Sequence, residues 1–553
     1  MNTQNQTAKK IRIVGGVAGG ASFAARMRRL DEHAIITMYD KGDFISFANC
    51  GLPYHIGNVI RNRDELIIQT PEQFNARFNI EVRINSEVIA VSPEKKEITV
   101  KHGSSETIEP YDILMLTPGS IPVRPPIPGI DLPNIYTLRT IPDMDRIKKI
   151  AHDKESGHAV VIGGGFIGLE TAENLRHLGI DVTLVEMAEQ VFAPADREMA
   201  ELLHQELHKN GITLITGNGV GSFSANSDDT LQIMLSDGTL LTADFTVLAI
   251  GVRPDTAFLQ GTGIALNKQG AIIVDEDMRT NIPDIYAVGD AIEVTDYVSG
   301  TKASIPLAGP ANRQARIAAD NVCGKPTTYK NTQGTSICKV FDLTAAVTGL
   351  NEKNAKKHGI AFKKSYTHSA SHASYYPGAA VLSIKLLFSP ENGRVLGAQI
   401  IGKDGVDKRI DVLAEAVRHT LTVTDLTELE LAYAPPFGSA KDPVNMAGFV
   451  ADNILCGDMP VFYCEDIPDI DTETATLLDV RTSGEHRRGA IPDSTNIPVD
   501  ELRSRLGELD TSKEIYLYCQ VGLRGHVATR MLLQHGFKVK NLSGGYRTYQ
   551  TVV

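Results

Sequence analysis

Residues 159–168 read AVVIGGGFIG and residues 11–20 read IRIVGGVAGG; in each, a short β-branched run breaks at a glycine cluster and gives way to a helix-forming stretch. Glycines belong at such a turn because the backbone must bend sharply and approach a pyrophosphate, which rests on the N–H groups that open the next helix. In the first copy the strand is Ile11–Val14, the turn Gly15-Gly16-Val17-Ala18-Gly19-Gly20 and the helix Ala21–Leu30. In the second, Ala159–Ile162 leads into Gly163-Gly164-Gly165-Phe166-Ile167-Gly168, a complete GxGxxG. A further strand follows each copy and ends at a carboxylate, Ile35–Tyr39 before Asp40 and Val182–Val185 before Glu186. That is about twenty residues on, where dinucleotide folds hold a ribose hydroxyl. Val17 occupies the place of the first copy's middle glycine, so that copy takes its meaning from the second. Two dinucleotide sites in one α/β chain are expected, the first built on Gly15, Gly16, Ala18, Gly19, Gly20 and Asp40, the second on Gly163, Gly165, Gly168 and Glu186.

The rest of the composition sets the frame. At 553 residues the chain is too long for one ordinary core, and one domain per roughly 150 residues gives three or four. A net charge of -12 argues against nucleic acid or an anionic membrane as the main partner. The N-terminus MNTQNQTAKK has no apolar core segment, and no run of about 18 apolar residues follows, so a cytoplasmic protein off the membrane is expected. The six cysteines, at 50, 323, 338, 456, 464 and 519, include no CxxC pair, so neither a disulfide framework nor a metal site is expected. From about residue 329 the pattern changes to strands such as Ala380–Leu387 and Leu396–Ile401 with a helix near Arg409–His419. After Leu455 comes a connector with Pro460 and acidic residues 465–471, and then a compact strand and helix pattern to Val553.

The run Ser46-Phe47-Ala48-Asn49-Cys50-Gly51-Leu52-Pro53-Tyr54, together with Gly163–Gly168 and the strand end Tyr286-Ala287-Val288-Gly289-Asp290, resembles the single-cysteine branch of the pyridine nucleotide-disulfide oxidoreductases. Residues 10–455 look like coenzyme A-disulfide reductases, and the whole chain like their rhodanese-fused form, also described as NADH-dependent persulfide reductases. The resemblance implies an FAD-binding domain over 10–125 and 253–328, an NAD(P)-binding domain over 126–252, an α+β dimerisation domain over 329–455, a linker over 456–468 and an α/β rhodanese domain over 469–553. It implies FAD, NADH and coenzyme A as cofactors and a homodimer with shared active sites. Gly251 and Gly289 join the cofactor contacts, and Asp290 faces the flavin ribityl chain. Glu186 favours NADH over NADPH by repelling a 2′-phosphate, although a nearby arginine would leave NADPH open.

Cys50 lacks the second cysteine, four residues away, of glutathione reductase-like members. Its reducible state is therefore a mixed disulfide with a small thiol, coenzyme A in this family, or an oxidised sulfur. Electrons pass from NADH to FAD to that disulfide, and the thiolate released attacks the next sulfur. A thiolate at a helix start beside a flavin is expected to have a lowered pKa. Ser22, Arg26 and Arg29, spaced four and three apart, share one helix face, which the family uses to hold the coenzyme A nucleotide. Ser46, Asn49, Asn312 and Lys441 match substrate contacts. Tyr375, Tyr376 and Tyr433 match tyrosines that enter the partner subunit's site and donate hydrogen bonds to substrate sulfur or the flavin edge.

In the tail, Leu478-Asp479-Val480-Arg481, Ile497-Pro498 and Tyr518-Cys519-Gln520-Val521-Gly522-Leu523-Arg524-Gly525 resemble a rhodanese domain. Cys519 ends a strand and opens a loop into a helix, so backbone N–H groups of that loop converge on the sulfur and stabilise a persulfide. Four residues separate Cys519 from Arg524, one fewer than in the phosphate-cradling loops of related phosphatases, which favours sulfur. The other four cysteines are read as structural, and His368 and His372 as hydrogen-bonded surface residues. The expected activity is reduction of persulfide, polysulfide or disulfide sulfur at Cys50, coupled to sulfur transfer at Cys519. One alternative is an NADH oxidase or peroxidase cycling Cys50 through a sulfenic acid. Another is a non-catalytic sulfur or redox sensor.

Overall fold

The computed structural model describes residues 8–154 and 156–552. They form two compact units, the described residues of 8–188 with 211–334 and of 189–210 with 335–552.

The first unit holds two five-stranded parallel sheets. One runs in the order Ile285–Ala287, Ile113–Leu116, Lys10–Val14, Ile35–Tyr39, Glu81–Arg83. The other runs Ile212–Ile215, Asp181–Val185, His158–Ile162, Phe245–Leu248, Ile135–Thr137. The central strands are buried along nearly their whole length, as strands covered on both faces must be, which is why they read as unbroken apolar runs. Both glycine turns leave a central strand and enter a helix, Ala18–Leu30 in one and Phe166–His177 in the other. The first of these helices starts three residues earlier than the sequence reading placed it. Gly19 and Gly20 belong to its first turn, where a Cβ on Gly20 would come within 1.9 Å of the Gly15 carbonyl oxygen. The third glycine of each fingerprint is therefore a packing requirement: Gly168 is in the same position against Gly163, at 1.8 Å.

The second unit contains a five-stranded antiparallel sheet, in the order Ser336–Val340, Leu343–Gly349, Val395–Gly402, Val381–Phe388, Lys363–Ala370. It also contains a five-stranded parallel sheet, in the order Val461–Phe462, Val539–Leu542, Glu514–Tyr518, Ala475–Asp479, Thr495–Asn496. The segment 456–468 is thus more than a linker. Its Val461–Phe462 pairs with the last strand, and its Glu465 binds Lys364 of the antiparallel sheet at 2.5 Å. Acidity and Pro460 made the stretch read as a connector, but the apolar pair between them is an edge strand.

Beneath this junction lies Lys385, fully buried, whose ammonium meets Asp196 at 2.8 Å, Glu352 at 2.5 Å and Glu198. Lys364 adds a second buried cation on Glu352 at 2.8 Å. Although burial pushes the Glu352 carboxyl up, the two lysines together pull it down to about 2. The three carboxylates converge closely enough to hold a metal ion, and the lysine supplies the charge that balances them. Removing one member of such a buried set costs about 3–5 kcal/mol.

Candidate functional site

The two glycine turns are built alike down to the hydrogen bond. Asp40 accepts from the Gly16 and Gly42 N–H groups, both at 2.8 Å; Glu186 accepts from Gly164 at 2.6 Å and Ala188 at 2.7 Å. Each carboxylate is thereby fixed at its strand end, beside the turn it serves. Gly15 and Gly163 take φ of +92° and +107° with their Cβ positions against the backbone of the neighbouring strand, so only glycine fits there. A Cβ on Gly165 would meet no protein atom within 4 Å, so this glycine clears space for something other than protein, and the residues present fit a pyrophosphate at the N-terminus of the Phe166–His177 helix. Gly251, at φ +108°, is open in the same way. At the first turn Val17 lines a cleft of about 490 Å3 that extends from Asp40 past Gly15 to Asn49, Ser120 and Arg139.

Cys50 sits beside the far end of that cleft, through its neighbour Asn49. It is a free, solvent-exposed thiol in the single turn Asn49–Gly51, which leads into the short helix Leu52–Ile56. Ser46 adopts φ +46° at the start of the run. With its side-chain amide turned to the orientation that satisfies both ends, Asn49 accepts through its oxygen from Arg139 at 3.1 Å; Arg139 also lies 3.5 Å from Asp290, which accepts from the Ser120 hydroxyl at 3.0 Å. Gly289, at φ +82°, turns the chain so that Asp290 faces this group, and its N–H is held by Gln314 at 2.9 Å. Sequence reasoning found Asp290 and Asn49 and missed Ser120 and Arg139, which come from distant segments with no local signature.

In the chain itself the Cys50 pKa runs opposite to the expected lowering. Although the residue reaches the surface, the protein packed around its turn partly buries the sulfur, and this, then the Glu170 carboxylate, push the thiol up, with Arg139 offsetting only part. A helix of five residues offers too little dipole to outweigh two carboxylates.

Of the proposed coenzyme A residues, Ser22 donates to Asn312, so two of them are joined across the packed helices Ala18–Leu30 and Ala308–Val322. Arg26 points onto the same helix, where Asp320 takes its guanidinium at 2.6 and 2.9 Å. Arg29 is exposed. In the second unit Lys441 is exposed as well, next to Asp442, which pairs with the buried Arg409 at 2.9 Å. Tyr375 and Tyr433 are exposed and share a hydrogen bond at 3.0 Å, while Tyr376 packs edge-on against His372.

Cys519 closes the strand Glu514–Tyr518, and only 1% of its surface is exposed. The Gly522 N–H, at φ +104°, donates to its sulfur at 3.1 Å, and the helix Leu523–Gln534 starts there, so the loop Gln520–Arg524 brings one N–H onto the sulfur where several were expected to converge. Arg524 is held fork to fork by Glu485, both bonds 2.7 Å, which draws the Glu485 carboxyl down to about 2. Glu485 was not singled out from the sequence. The loop is braced from behind by the helix Gly545–Tyr549: Tyr546 and Arg547 N–H groups donate to the Cys519 and Gln520 carbonyls at 2.7 and 2.9 Å.

That helix in turn rests on the antiparallel sheet. A Cβ on Gly544 would meet the Tyr366 Cβ at 2.8 Å, and one on Gly545 the Cys519 carbonyl oxygen at 2.5 Å. His368 lies within the strand Lys363–Ala370, with its ring nitrogens on Ser383 at 2.9 Å and Thr548 at 2.8 Å. Burial drives its pKa down to about 3. The loop reading of His368 is corrected accordingly, since it lies half-buried in a strand, and His372 is buried.

Three stretches of the chain match known families: residues 9–315 match the pyridine nucleotide-disulphide oxidoreductases, 335–443 their dimerisation domain and 468–551 the rhodanese-like domain. A coenzyme A disulfide reductase of Staphylococcus haemolyticus is 36% identical over 449 residues, covering 81% of this chain and all of that one. The crystal structure of reduced Bacillus anthracis CoADR-RHD superposes with a TM-score of 0.97 at 49% identity over 99% of both chains. An NAD-dependent persulfide reductase from A. fulgidus does so with 0.92 at 35% identity, over 98% of this chain and 100% of that one. No helix among the described residues is long and apolar enough to cross a membrane.

Proposed function

The chain belongs to the pyridine nucleotide-disulphide oxidoreductase family, with that family's dimerisation domain and a rhodanese-like domain behind it, and from this premise we propose that it uses NADH to reduce sulfane or disulfide sulfur at Cys50 while Cys519 carries sulfur. The family works with FAD and NAD(P)H, and the two glycine turns fit both groups. When bound, they supply a path for two electrons from the nicotinamide to sulfur. The protein's own residues set the rest. Asp40 and Glu186 fix the strand ends for two ribose hydroxyl pairs, and the Glu186 carboxylate, already committed to two N–H donors, repels a 2′-phosphate, which favours NADH. Arg139 gathers Asn49 and Asp290 at one end of the cleft and so holds the Cys50 turn to it.

The observation that carries the reading is the presence, in one chain, of two free cysteines at different stations: Cys50 beside the dinucleotide cleft with no disulfide partner, and Cys519 in a loop whose N–H points at the sulfur. A lone cysteine that accepts electrons needs either a second sulfur from outside or an oxidised sulfur of its own, and the rhodanese-like domain in the same chain favours the former. Coenzyme A, the substrate class in the relatives' names, fits as that thiol, with Ser22, Asn312 and Arg29 as its contacts and Tyr375 and Tyr433 as hydrogen-bond donors offered to a partner subunit of a homodimer.

The test is NADH consumption by wild type and Cys519→Ser with coenzyme A persulfide and coenzyme A disulfide as separate substrates. Faster turnover with persulfide, reduced in the variant, supports a persulfide reductase with a coupled rhodanese domain. Equal or better turnover with the disulfide, indifferent to the change, rejects that coupling.

A further inference from the structure

Glu170 lies two residues past Gly168, on the helix Phe166–His177, and has no part in holding a dinucleotide in the account above. Its carboxylate accepts from the Tyr54 hydroxyl at 3.1 Å. Tyr54 belongs to the short helix Leu52–Ile56 that follows the Cys50 turn, and this helix packs on Phe166–His177. The arrangement is tightly fixed from both sides. Behind Tyr54, Lys148 donates to the His55 carbonyl at 2.7 Å. One turn beyond Glu170, Asn174 donates to the Glu170 carbonyl at 2.8 Å and fills the space where a Cβ on Gly57 would be.

A purely structural partner for a tyrosine hydroxyl could be an amide; a carboxyl at this place titrates. Burial raises it to about 7, with the Tyr54 bond opposing and the Glu173 carboxylate adding. After burial, Glu170 is the strongest influence on the Cys50 thiol; Arg139 opposes it and Asp290 adds less. A carboxyl poised near neutrality, on the helix packed against the one that follows Cys50 and hydrogen-bonded to Tyr54 of that helix, has the properties of a general acid and base for a sulfur that must gain and lose a proton.

We propose that Glu170, hydrogen-bonded to Tyr54, is the proton donor and acceptor for sulfur at Cys50. This deepens the reductase reading and rests on it. In the step it serves, two electrons that start on NADH and reach the sulfur through bound FAD, the hydride's proton passing to solvent, would break the bond between the Cys50 sulfur and the bound thiol's sulfur and give two thiolates. The departing thiolate takes the Glu170 proton and leaves as a neutral thiol. Cys50 remains a thiolate facing a carboxylate, and the repulsion between them is relieved when Glu170 takes a proton back from solvent. The carboxyl is then neutral, and the Cys50 thiolate is ready to attack the next sulfur. The arrangement also reconciles a thiol pushed up in pKa with a nucleophilic role: its main electrostatic opponent is a charge that disappears on protonation.

The experiment uses flavin-loaded wild type, Glu170→Gln, Glu170→Asp and Tyr54→Phe. Two quantities are followed against pH: kcat and KM for coenzyme A disulfide, and the rate at which iodoacetamide alkylates Cys50 in the reduced protein. Glu170→Gln is expected to lower kcat by about 100-fold with KM little changed, and to abolish the fall of kcat above neutrality. Alkylation in that variant should reach its half-maximum at lower pH, because the opposing charge is gone. Glu170→Asp should recover part of kcat, and Tyr54→Phe should fall between. An unchanged kcat profile, or an alkylation midpoint that does not move, overturns the proposal. A wild type that reduces neither disulfide nor persulfide, yet still shows the alkylation shift on Glu170→Gln, would reject the reductase reading and keep the coupling between Glu170 and Cys50.

Discussion

Cys50 and Cys519 are both free, and each stands where a helix begins, yet their surroundings differ in sign and exposure. Cys50 is open to solvent, and the carboxylates of Glu170 and Asp290 outweigh Arg139 around it. Cys519 is sealed to 1% exposure, receives an N–H on its sulfur, and has in Arg524 a cation whose own charge is met by Glu485 rather than by another sulfur. An anionic sulfur is thus costly at Cys50 unless a proton is at hand, whereas the sulfur of Cys519 has a backbone N–H directed at it. The first arrangement suits a sulfur that cycles between bonded and released states; the second suits one that stores a persulfide.

The largest test of this division is reciprocal. Cys50→Ser should abolish NADH-dependent reduction of disulfide and persulfide, by roughly three orders of magnitude or more as for lost nucleophiles elsewhere, while sulfur transfer from thiosulfate to cyanide survives. Cys519→Ser should do the reverse. Loss of both activities in either variant would mean one shared site. Next in size, Lys385→Met should destabilise the second unit by about 3–5 kcal/mol, since it strands Asp196, Glu198 and Glu352 in the interior. Calorimetry should show the transition that abolishes sulfur transfer moving to lower temperature. Glu485→Gln should slow sulfur loading of Cys519 about tenfold by loosening Arg524, read by mass spectrometry of the persulfide, with disulfide reduction untouched.

The contrast in carboxyls sharpens the same point with pH. Glu170, raised to about 7, is protonated below neutrality and charged above it, so reduction at Cys50 should fall as pH rises through that range. Glu485, held near 2, stays ionised throughout, so sulfur transfer should show no limb from it. The smallest effect is Thr548→Val, which removes one partner of His368 at about 1 kcal/mol; Thr548→Ser should restore it in the same unfolding measurement.

Both glycine turns, the carboxylates at the strand ends that follow them and the placement of the two cysteines before helices were legible because each depends on residues adjacent in the chain: a turn that excludes Cβ, a strand end, a loop into a helix. Arg139, Ser120 and Glu485 were not, because their meaning arises only when strands far apart in sequence converge on Asp290 or Arg524. Glu170 fell between these cases. It lies inside a recognised motif, but its role comes from Tyr54, over one hundred positions away and itself part of the Cys50 run. The pKa of Cys50 was misread for a related reason. A helix start is visible locally, while the opposing carboxylates reach the sulfur from elsewhere. His368 looked like a loop residue since periodicity does not show that its strand is covered.

The paired glycines at 544 and 545 bear on how such a fusion could arise and change. One glycine lies against the sheet at Tyr366 and the next against the Cys519 carbonyl, so the seam between the modules and the back wall of the sulfur loop are adjacent residues. A rhodanese module borrowed from another protein would bring a working loop but not this seam, and a side chain acquired at 544 would pry the modules apart while leaving every catalytic residue in place. The dipeptide thus ties the seam to the loop behind Cys519, and any change at either glycine is felt on both sides of it.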